Sequence, residues 1–300
     1  MTDKKFFLLF LLLSSFCLII MSASVFYALT IHPLHIKGQA RIQQSQSDFE
    51  IAFVGDSSVE WAIDADLFEE LSGFKTQNLG LTAEGHNFSG TYNIIRHLLN
   101  RPSGKPKYII IMNSLTAWDN EFEIGGYCAT LNQLTSQPAL AAGLIEKWDC
   151  FKFKYLNLKQ ISMTINQLYY DYSQSNNLEN KTFRNGGITW EYVVESKVLQ
   201  NLGKIGATKV TELKVLDQQL IGSDVKVIYL QGPLHNQVAN LFDNALSSQH
   251  DILRNLKNIE FIEHYLYPPN EDMGNSISHV SPEVKEEVTK FYFNLLEHQL

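Results

Sequence analysis

Apolar residues are concentrated at the start of the chain, where no residue from Phe6 to Leu29 is charged. A membrane-spanning helix needs roughly 20 apolar residues. The apolar region of a cleavable signal peptide is usually shorter, about 7–15 residues. The length of this run therefore predicts a single transmembrane helix within residues 1–31, while the small residues Ser22-Ala23-Ser24 leave cleavage open.

The charges around this run predict its orientation. Lys4 and Lys5 precede it, and basic residues on one side of a span favour the cytoplasm. We expect the N-terminus to lie inside and the rest of the chain outside. Residues 32–48 are polar and rich in Gln and Ser, which predicts a tether between the helix and residues 49–300.

Short apolar runs bounded by turn residues recur beyond the tether and predict buried strands. Helical spacing of apolar residues follows over residues 85–100, and Ser281-Pro282 predicts the start of a further helix. Continuous apolar strands that alternate with helices predict an α/β fold with a parallel sheet covered on both faces. The predicted strands are 50–54, 76–81, 107–112, 225–230 and 259–262.

The interval between the third and fourth predicted strands is too long for a simple crossover, which needs roughly 30 residues. It predicts a mostly helical insertion at about 120–215. Aromatic residues are frequent from Phe151 to Tyr172. They form either the core of the insertion or a roof over the carboxyl edge of the sheet, where ligands of such folds bind.

The composition and the motifs of the chain argue against several classes of function. The chain has 24 basic and 32 acidic residues and a net charge of −8, which argues against a nucleic-acid binder. Neither zinc-ligand spacing nor a phosphate-binding loop is present, so no metal or other cofactor is expected. Cys128 and Cys150 either pair in an oxidising compartment or are two unrelated thiols.

Candidate chemistry lies where the first predicted strand meets a helix, in Gly55-Asp56-Ser57. This turn lifts the Ser57 hydroxyl to the edge of the sheet, and its N–H lies near a helix N-terminus, where negative charge is stabilised. A serine nucleophile needs a base. His279, in the loop before the last predicted helix, is the first candidate, and His235, after the fourth strand, is the second.

Three segments together resemble the nucleophile, oxyanion and catalytic-histidine blocks of the SGNH, or GDSL-like, hydrolase family. They are Phe53-Val54-Gly55-Asp56-Ser57, Asn78-Leu79-Gly80-Leu81-Thr82 and Ser278-His279-Val280-Ser281. The resemblance implies a three-layer flavodoxin-like sheet. It also implies Ser57 as nucleophile and His279 as base.

The same resemblance implies an oxyanion hole formed by the N–H groups of Ser57 and Gly80, or Ala83 in place of Gly80, with the Asn113 side chain. The family has an aspartate three residues before the histidine, where this chain has Ser276. Asp272 is the candidate acid. Glu271, or a Ser–His dyad without an acid, are the alternatives.

The segment from Gly55 to Glu60, followed by Ile63-Asp64, resembles a membrane-anchored branch of the family whose members assist acylation of cell-envelope polymers. This implies a serine esterase or O-acyltransferase on the extracytoplasmic side of a bacterial cytoplasmic membrane. Its substrate would be a cell-envelope polysaccharide, and its partner a polytopic membrane acyltransferase. The alternative is a catalytically inactive accessory protein that binds the polymer or that partner.

Overall fold

The computed structural model describes residues 3–30, 47–81, 88–102, 104–114, 118, 206–239, 243–274 and 276–300. These residues fall into two compact units. The first is a helix, α1, over Asp3–Thr30. The second, called the α/β unit below, contains the described residues from 47 onward.

Helix α1 confirms the predicted apolar segment. Over Lys4–Ala23 its side chains are not buried against the protein, and the helix is long and apolar enough to cross a membrane. A signal sequence meets the same criterion. An apolar surface of this extent is costly in water, so α1 requires an apolar environment.

In the part of the chain that the structure describes, the α/β unit has a sheet of five parallel strands in the order β2-β1-β3-β4-β5. The predicted α/β class and parallel sheet are confirmed. Strand ends differ from the predicted ones by one residue, except that β2 ends three residues early. The strands are β1 Ile51–Gly55, β2 Thr76–Asn78, β3 Tyr108–Asn113, β4 Lys226–Gln231 and β5 Ile259–Phe261.

Consecutive residues of β1, β3 and β4 are buried, although their side chains point alternately to the two faces of the sheet. Both faces of the sheet are therefore covered, and helices cover them. The helices are α2 Ser57–Ala62, α3 Ala65–Ser72, α4 Phe88–Leu99, α5 Ala207–Gln219, α6 Asn236–Ala239, α7 Asp243–Arg254 and α8 Lys285–Leu296. Helices α2, α3 and α8 pack together, and α4 packs on α5. The first group shares a core with Phe53, Ile110 and Ile228 of the sheet.

Helix α8 is tied to the start of the α/β unit by polar contacts. The buried Thr289 hydroxyl accepts a hydrogen bond from the Asp64 N–H at 2.9 Å and lies 3.2 Å from the Ala62 carbonyl oxygen. Ser281 is the N-cap residue of a 3₁₀ turn, Pro282–Val284, which leads into α8. The predicted start of this helix is thus confirmed as a 3₁₀ turn continued by an α-helix.

Several predictions concern residues outside the described part of the chain. These are most of the tether, residues 119–205 of the predicted insertion, the aromatic stretch Phe151 to Tyr172, and the pair Cys128 and Cys150. Helix α5 begins within the predicted insertion, and it packs against α4 as part of the α/β unit.

Candidate active site

Ser57 is the first residue of α2, directly after the turn at the carboxyl end of β1. Gly55 permits this turn, because a Cβ atom built there would lie 1.7 Å from the Met112 carbonyl oxygen on β3. The two strands therefore approach each other where the turn begins. The turn holds Ser57 at the carboxyl edge of the sheet, as the sequence predicted.

The Asp56 carboxylate fixes the turn from inside the protein. One oxygen accepts hydrogen bonds from the N–H and hydroxyl of Ser58, at 2.9 and 2.6 Å. The other accepts from the N–H and hydroxyl of Ser114, at 2.9 and 2.7 Å. Asp56 is 2% exposed, and four hydrogen bonds offset the desolvation of its charge. Asp56 thus caps α2 and joins the end of β1 to the residue that follows β3.

His279 lies on a loop closed by main-chain hydrogen bonds. The Gly274 N–H donates to the His279 carbonyl oxygen, and the Ser281 N–H donates to the Asp272 carbonyl oxygen, both at 2.7 Å. The neighbouring Val280 is buried in the core between the sheet and α8. These contacts fix the backbone that carries the imidazole.

The structure brings Ser57 and His279 together. His279 Nε2 lies 2.7 Å from Ser57 Oγ, although 222 positions separate the two residues. This distance is within hydrogen-bond reach of a base that takes a hydroxyl proton. In the neutral tautomer with an unprotonated Nε2, the Ser57 hydroxyl donates to the ring. Sequence reasoning found both residues of this pair.

Trp61 also contacts the histidine, and sequence reasoning missed it. Its ring stacks on the imidazole of His279, with centroids 5.4 Å apart and an interplanar angle of 15°. Trp61 follows Ser57 by four residues on α2, so the two side chains lie on one face of the helix. The i, i+4 spacing was the available signal.

The predicted oxyanion donors have different surroundings. The N–H groups of Ser58 and Val59 both donate to Asp56, whereas that of Ser57 donates to no atom in the described residues. Asn113 is fully buried, and among the described residues neither its amide nitrogen nor its amide oxygen has a hydrogen-bond partner. Both residues retain a donor for a ligand.

Gly80 differs from these two donors. Its N–H donates to the Asn78 side-chain oxygen at 3.0 Å. The Asn78 side-chain nitrogen donates to the carbonyls of Val59 and Ile63. A Cβ at Gly80 would lie 2.9 Å from the Glu60 nitrogen. Gly80 therefore serves the packing of β2 against α2. The alternative donor, Ala83, lies outside the described residues.

The structure does not bring the predicted acids to His279. Among the described residues, the Asp272 and Glu271 carboxylates form no hydrogen bond with its ring. Asp272 acts through its main chain, by accepting the hydrogen bond from Ser281. His235, the second candidate base, is fully buried. Its main-chain N–H donates to the carbonyl oxygen of Ile277, two residues before His279.

A buried lysine lies near Asp56 on the side of the sheet that α5 covers. Lys209 is 2% exposed, and its ammonium lies 4.4 Å from the centroid of the buried Trp118 ring. Burial lowers the pKa of Lys209 to about 7, although the Asp56 and Glu212 carboxylates oppose this shift. Sequence reasoning missed Lys209, because a lysine in a first helical turn usually lies in solvent.

Within the described ranges, no group of three or more His, Cys, Asp or Glu side chains is arranged to hold a metal ion. Comparison of the chain with models of known protein families and with curated protein sequences gave no match.

Proposed function

We propose that this protein is a serine acyl-ester enzyme that forms an acyl intermediate on Ser57. The observation that carries the proposal is the 2.7 Å contact between Ser57 Oγ and His279 Nε2. A serine hydroxyl beside an unprotonated imidazole nitrogen is the arrangement that activates serine for attack on an ester carbonyl. The resemblance of three sequence blocks to SGNH hydrolases supports the same reaction.

The proposed reaction runs in two halves. Ser57 Oγ bonds to the carbonyl carbon while its proton passes to His279 Nε2, and the imidazolium then protonates the departing alkoxide as the ester bond breaks. An acceptor hydroxyl next loses its proton to His279 and attacks the acyl group, which frees Ser57. Water as the acceptor makes the protein an esterase, and a sugar hydroxyl makes it an O-acyltransferase.

The negative charge that forms on the carbonyl oxygen needs donors directed at it. The N–H of Ser57 and the buried amide of Asn113 are the groups proposed for this role, because both keep a donor without a partner in the described residues. The Gly80 N–H is not assigned to this role, because it already donates to the Asn78 side-chain oxygen. Asp272 supports the base through the main chain of its loop.

The strand order supports a flavodoxin-like, SGNH-hydrolase-like fold. Doubly wound sheets of the order 2-1-3-4-5 bind ligands outside the carboxyl ends of their strands, beside β1 and β3. The Asp56–Ser114 contacts lie between the ends of these two strands. Ser57 therefore occupies the position where the proposed fold places its chemistry.

Location and substrate follow from α1 together with the family resemblance. We propose that α1 spans the bacterial cytoplasmic membrane once and leaves the α/β unit on the extracytoplasmic, periplasmic side. There it acts on a cell-envelope polysaccharide, with a polytopic membrane acyltransferase as partner. The exposed apolar surface of α1 supports the anchor, and Lys4 and Lys5 support its orientation.

The test is covalent labelling of the full-length chain in detergent with a fluorophosphonate probe, together with turnover of a chromogenic acetyl ester. We expect labelling of the wild type. In Ser57→Ala we expect no labelling and a loss of turnover of at least about a thousandfold. Ser72→Ala, at the surface end of α3, is the matched control and should keep both signals.

A second pair of variants tests the base. His279→Gln should lose labelling, because the Ser57 hydroxyl then has no base. His264→Gln should keep labelling, because His264 is an exposed residue that stacks on Phe291. Labelling that persists in Ser57→Ala would overturn the proposal. Absence of labelling in the wild type would instead favour the accessory protein that only binds.

A further inference from the structure

The nucleophile and the ring that covers its base come from a single helical turn. Ser57 and Trp61 are four residues apart on α2, and Ser57 contacts the edge of the His279 imidazole through Nε2. Trp61 covers a face of the same ring, with centroids 5.4 Å apart and planes inclined by 15°. Helix α2 thus contacts the imidazole at two different surfaces.

We propose that Trp61 is a positioning residue that stabilises the protonated form of His279 through a cation–π interaction. The inference rests on the proposed function, because it is the reaction that puts a proton on His279. A cation within about 6 Å of an aromatic centroid is attracted to the ring face, and tryptophan is the strongest of the aromatic residues in this interaction. The indole stabilises a neutral imidazole less than a protonated one, so it favours the imidazolium that forms when Ser57 attacks.

The stacking also limits rotation of the imidazole. A ring held flat against the indole loses this contact when it tilts about its Cβ–Cγ bond, so the stack favours the ring plane in which Nε2 reaches Ser57. Aromatic pairs of this kind contribute energy beyond the area that they bury. In serine hydrolases a buried carboxylate commonly orients the base. The indole contributes orientation and charge stabilisation at the face of the imidazole, perpendicular to the plane in which its nitrogens form hydrogen bonds.

Other charged groups near His279 do not change when Trp61 is replaced. The Asp56 carboxylate is held by Ser58 and Ser114, and the Lys285 ammonium donates to the Glu60 carbonyl oxygen. Because these groups persist in each variant, a difference between variants reports the indole. Within the described ranges, the charged residues on the segments that flank His279 are Asp56, Glu60, Glu271, Asp272, Glu283, Lys285, Glu286 and Glu287.

The proposal predicts a graded effect on the acidity of His279. Leucine at position 61 keeps apolar bulk and lacks a π face, whereas phenylalanine keeps a weaker one. In Trp61→Leu we expect the pKa of His279 to fall by roughly 0.5–1 unit, and in Trp61→Phe by less. The acidic limb of the pH profile of kcat/KM should move to lower pH by the same amount, and kcat should fall about three- to tenfold in Trp61→Leu.

The experiment is a pH titration of the histidine ring signals by NMR, on the full-length chain in detergent micelles with labelled histidine. The His279 signal is identified by its loss in His279→Gln. Phe291→Leu is the matched control, because Phe291 stacks on the non-catalytic His264 with centroids 5.7 Å apart. It should leave the His279 titration unchanged.

A His279 pKa that is unchanged or raised in Trp61→Leu would overturn the inference, even if activity is lost, because Trp61 would then act by filling space. If Trp61→Leu does not fold, Trp61→Phe decides the outcome. A His279 pKa in Trp61→Phe that equals the wild-type pKa then overturns the inference. The titration needs no turnover. Failure of the proposed function is recognised separately, as a Ser57 that does not react with the fluorophosphonate.

Discussion

At the scale of single residues, the candidate site depends on a carboxylate whose hydrogen bonds go to Ser58 and Ser114 and not to His279. Asp56 receives four hydrogen bonds from two serines, one on each side of the gap between β1 and β3. Two of the four donors are backbone N–H groups, which cannot reverse their direction. The turn that carries Ser57 is therefore held by the Asp56 carboxylate, and both of its oxygens are needed as hydrogen-bond acceptors.

We expect Asp56→Asn to lower the free energy of unfolding by about 1.5–3 kcal/mol, the range for hydrogen bonds to charged groups. An asparagine offers one acceptor oxygen, so its NH₂ group faces the N–H of either Ser58 or Ser114. Thermal unfolding of the full chain in detergent measures the change.

Asp64→Asn is the matched control for this substitution. Asp64 caps α3 by accepting from the N–H groups of Asp66 and Leu67 near the surface, and asparagine caps helices about as well as aspartate. We expect a change within about 0.5 kcal/mol. Equal effects of the two substitutions would show that Asp56 is an ordinary cap.

Sequence patterns predicted some residues of the site because they lie in local motifs. Ser57 is marked by a glycine-containing turn after an apolar run, and His279 by its loop before a helix start signal. Asp56 lies in the same glycine-containing turn, between Gly55 and Ser57. Its second partner, Ser114, was not predicted, because the contact crosses 58 positions and depends on the register of β1 and β3. The contact between Lys209 and Trp118 joins residues 91 positions apart and depends on the fold, so no local motif predicts it.

At the scale of elements, the last helix closes the α/β unit by polar contacts as well as packing. The Thr289 hydroxyl of α8 accepts from the Asp64 N–H at the start of α3, and it also bonds to the Lys285 carbonyl oxygen of its own helix. The Tyr292 hydroxyl donates to the Gln231 carbonyl oxygen at the end of β4. Helix α8 thereby fixes the distance between the His279 loop and α2.

We expect Thr289→Val to lower the free energy of unfolding by about 1–3 kcal/mol, since valine keeps the shape and leaves the Asp64 N–H without its acceptor. Thr211→Val on α5 is the matched control. Thr211 is exposed, and its hydroxyl bonds to a carbonyl of its own helix, that of Ala207. Chemical denaturation should separate the two variants, and equal stability would contradict the proposed tie.

Strands were predictable because each is a continuous apolar run, and each predicted strand is present within the described residues. Their ends were less predictable. Strand β2 stops at Asn78, whose side chain bonds to carbonyls of α2, so the apolar Leu79 and Leu81 are buried outside the strand. Hydropathy does not distinguish a buried residue in a strand from one in the loop that follows it.

At the scale of the whole molecule, an apolar helix is joined to an acidic, polar-surfaced unit. Leu12 and Leu13 lie near the middle of the α1 segment and are exposed, at 60% and 56%. A structure of this kind is stable where α1 can leave water. The composition of α1 and that of the α/β unit thus set different requirements for their surroundings.

We expect the double substitution Leu12→Arg and Leu13→Arg to release the full-length chain from membranes into the alkaline carbonate supernatant. Each arginine costs about 2.5–3.5 kcal/mol at the centre of a spanning helix. Ile221→Arg, at an exposed apolar residue of the α/β unit, should leave the chain in the pellet. A wild type found in the supernatant would contradict anchoring by α1.

The 222 positions between Ser57 and His279 also have a consequence in time. A ribosome adds about 5–20 residues per second, so roughly 10–45 s pass between synthesis of Ser57 and synthesis of His279. The residues of β1 and α2 are already part of the chain throughout this interval, whereas those of the loop after β5 are not. In the proposed mechanism, a nascent, stalled or truncated chain that ends before His279 has a serine without its base, and the proposed esterolytic activity requires that synthesis has passed β5.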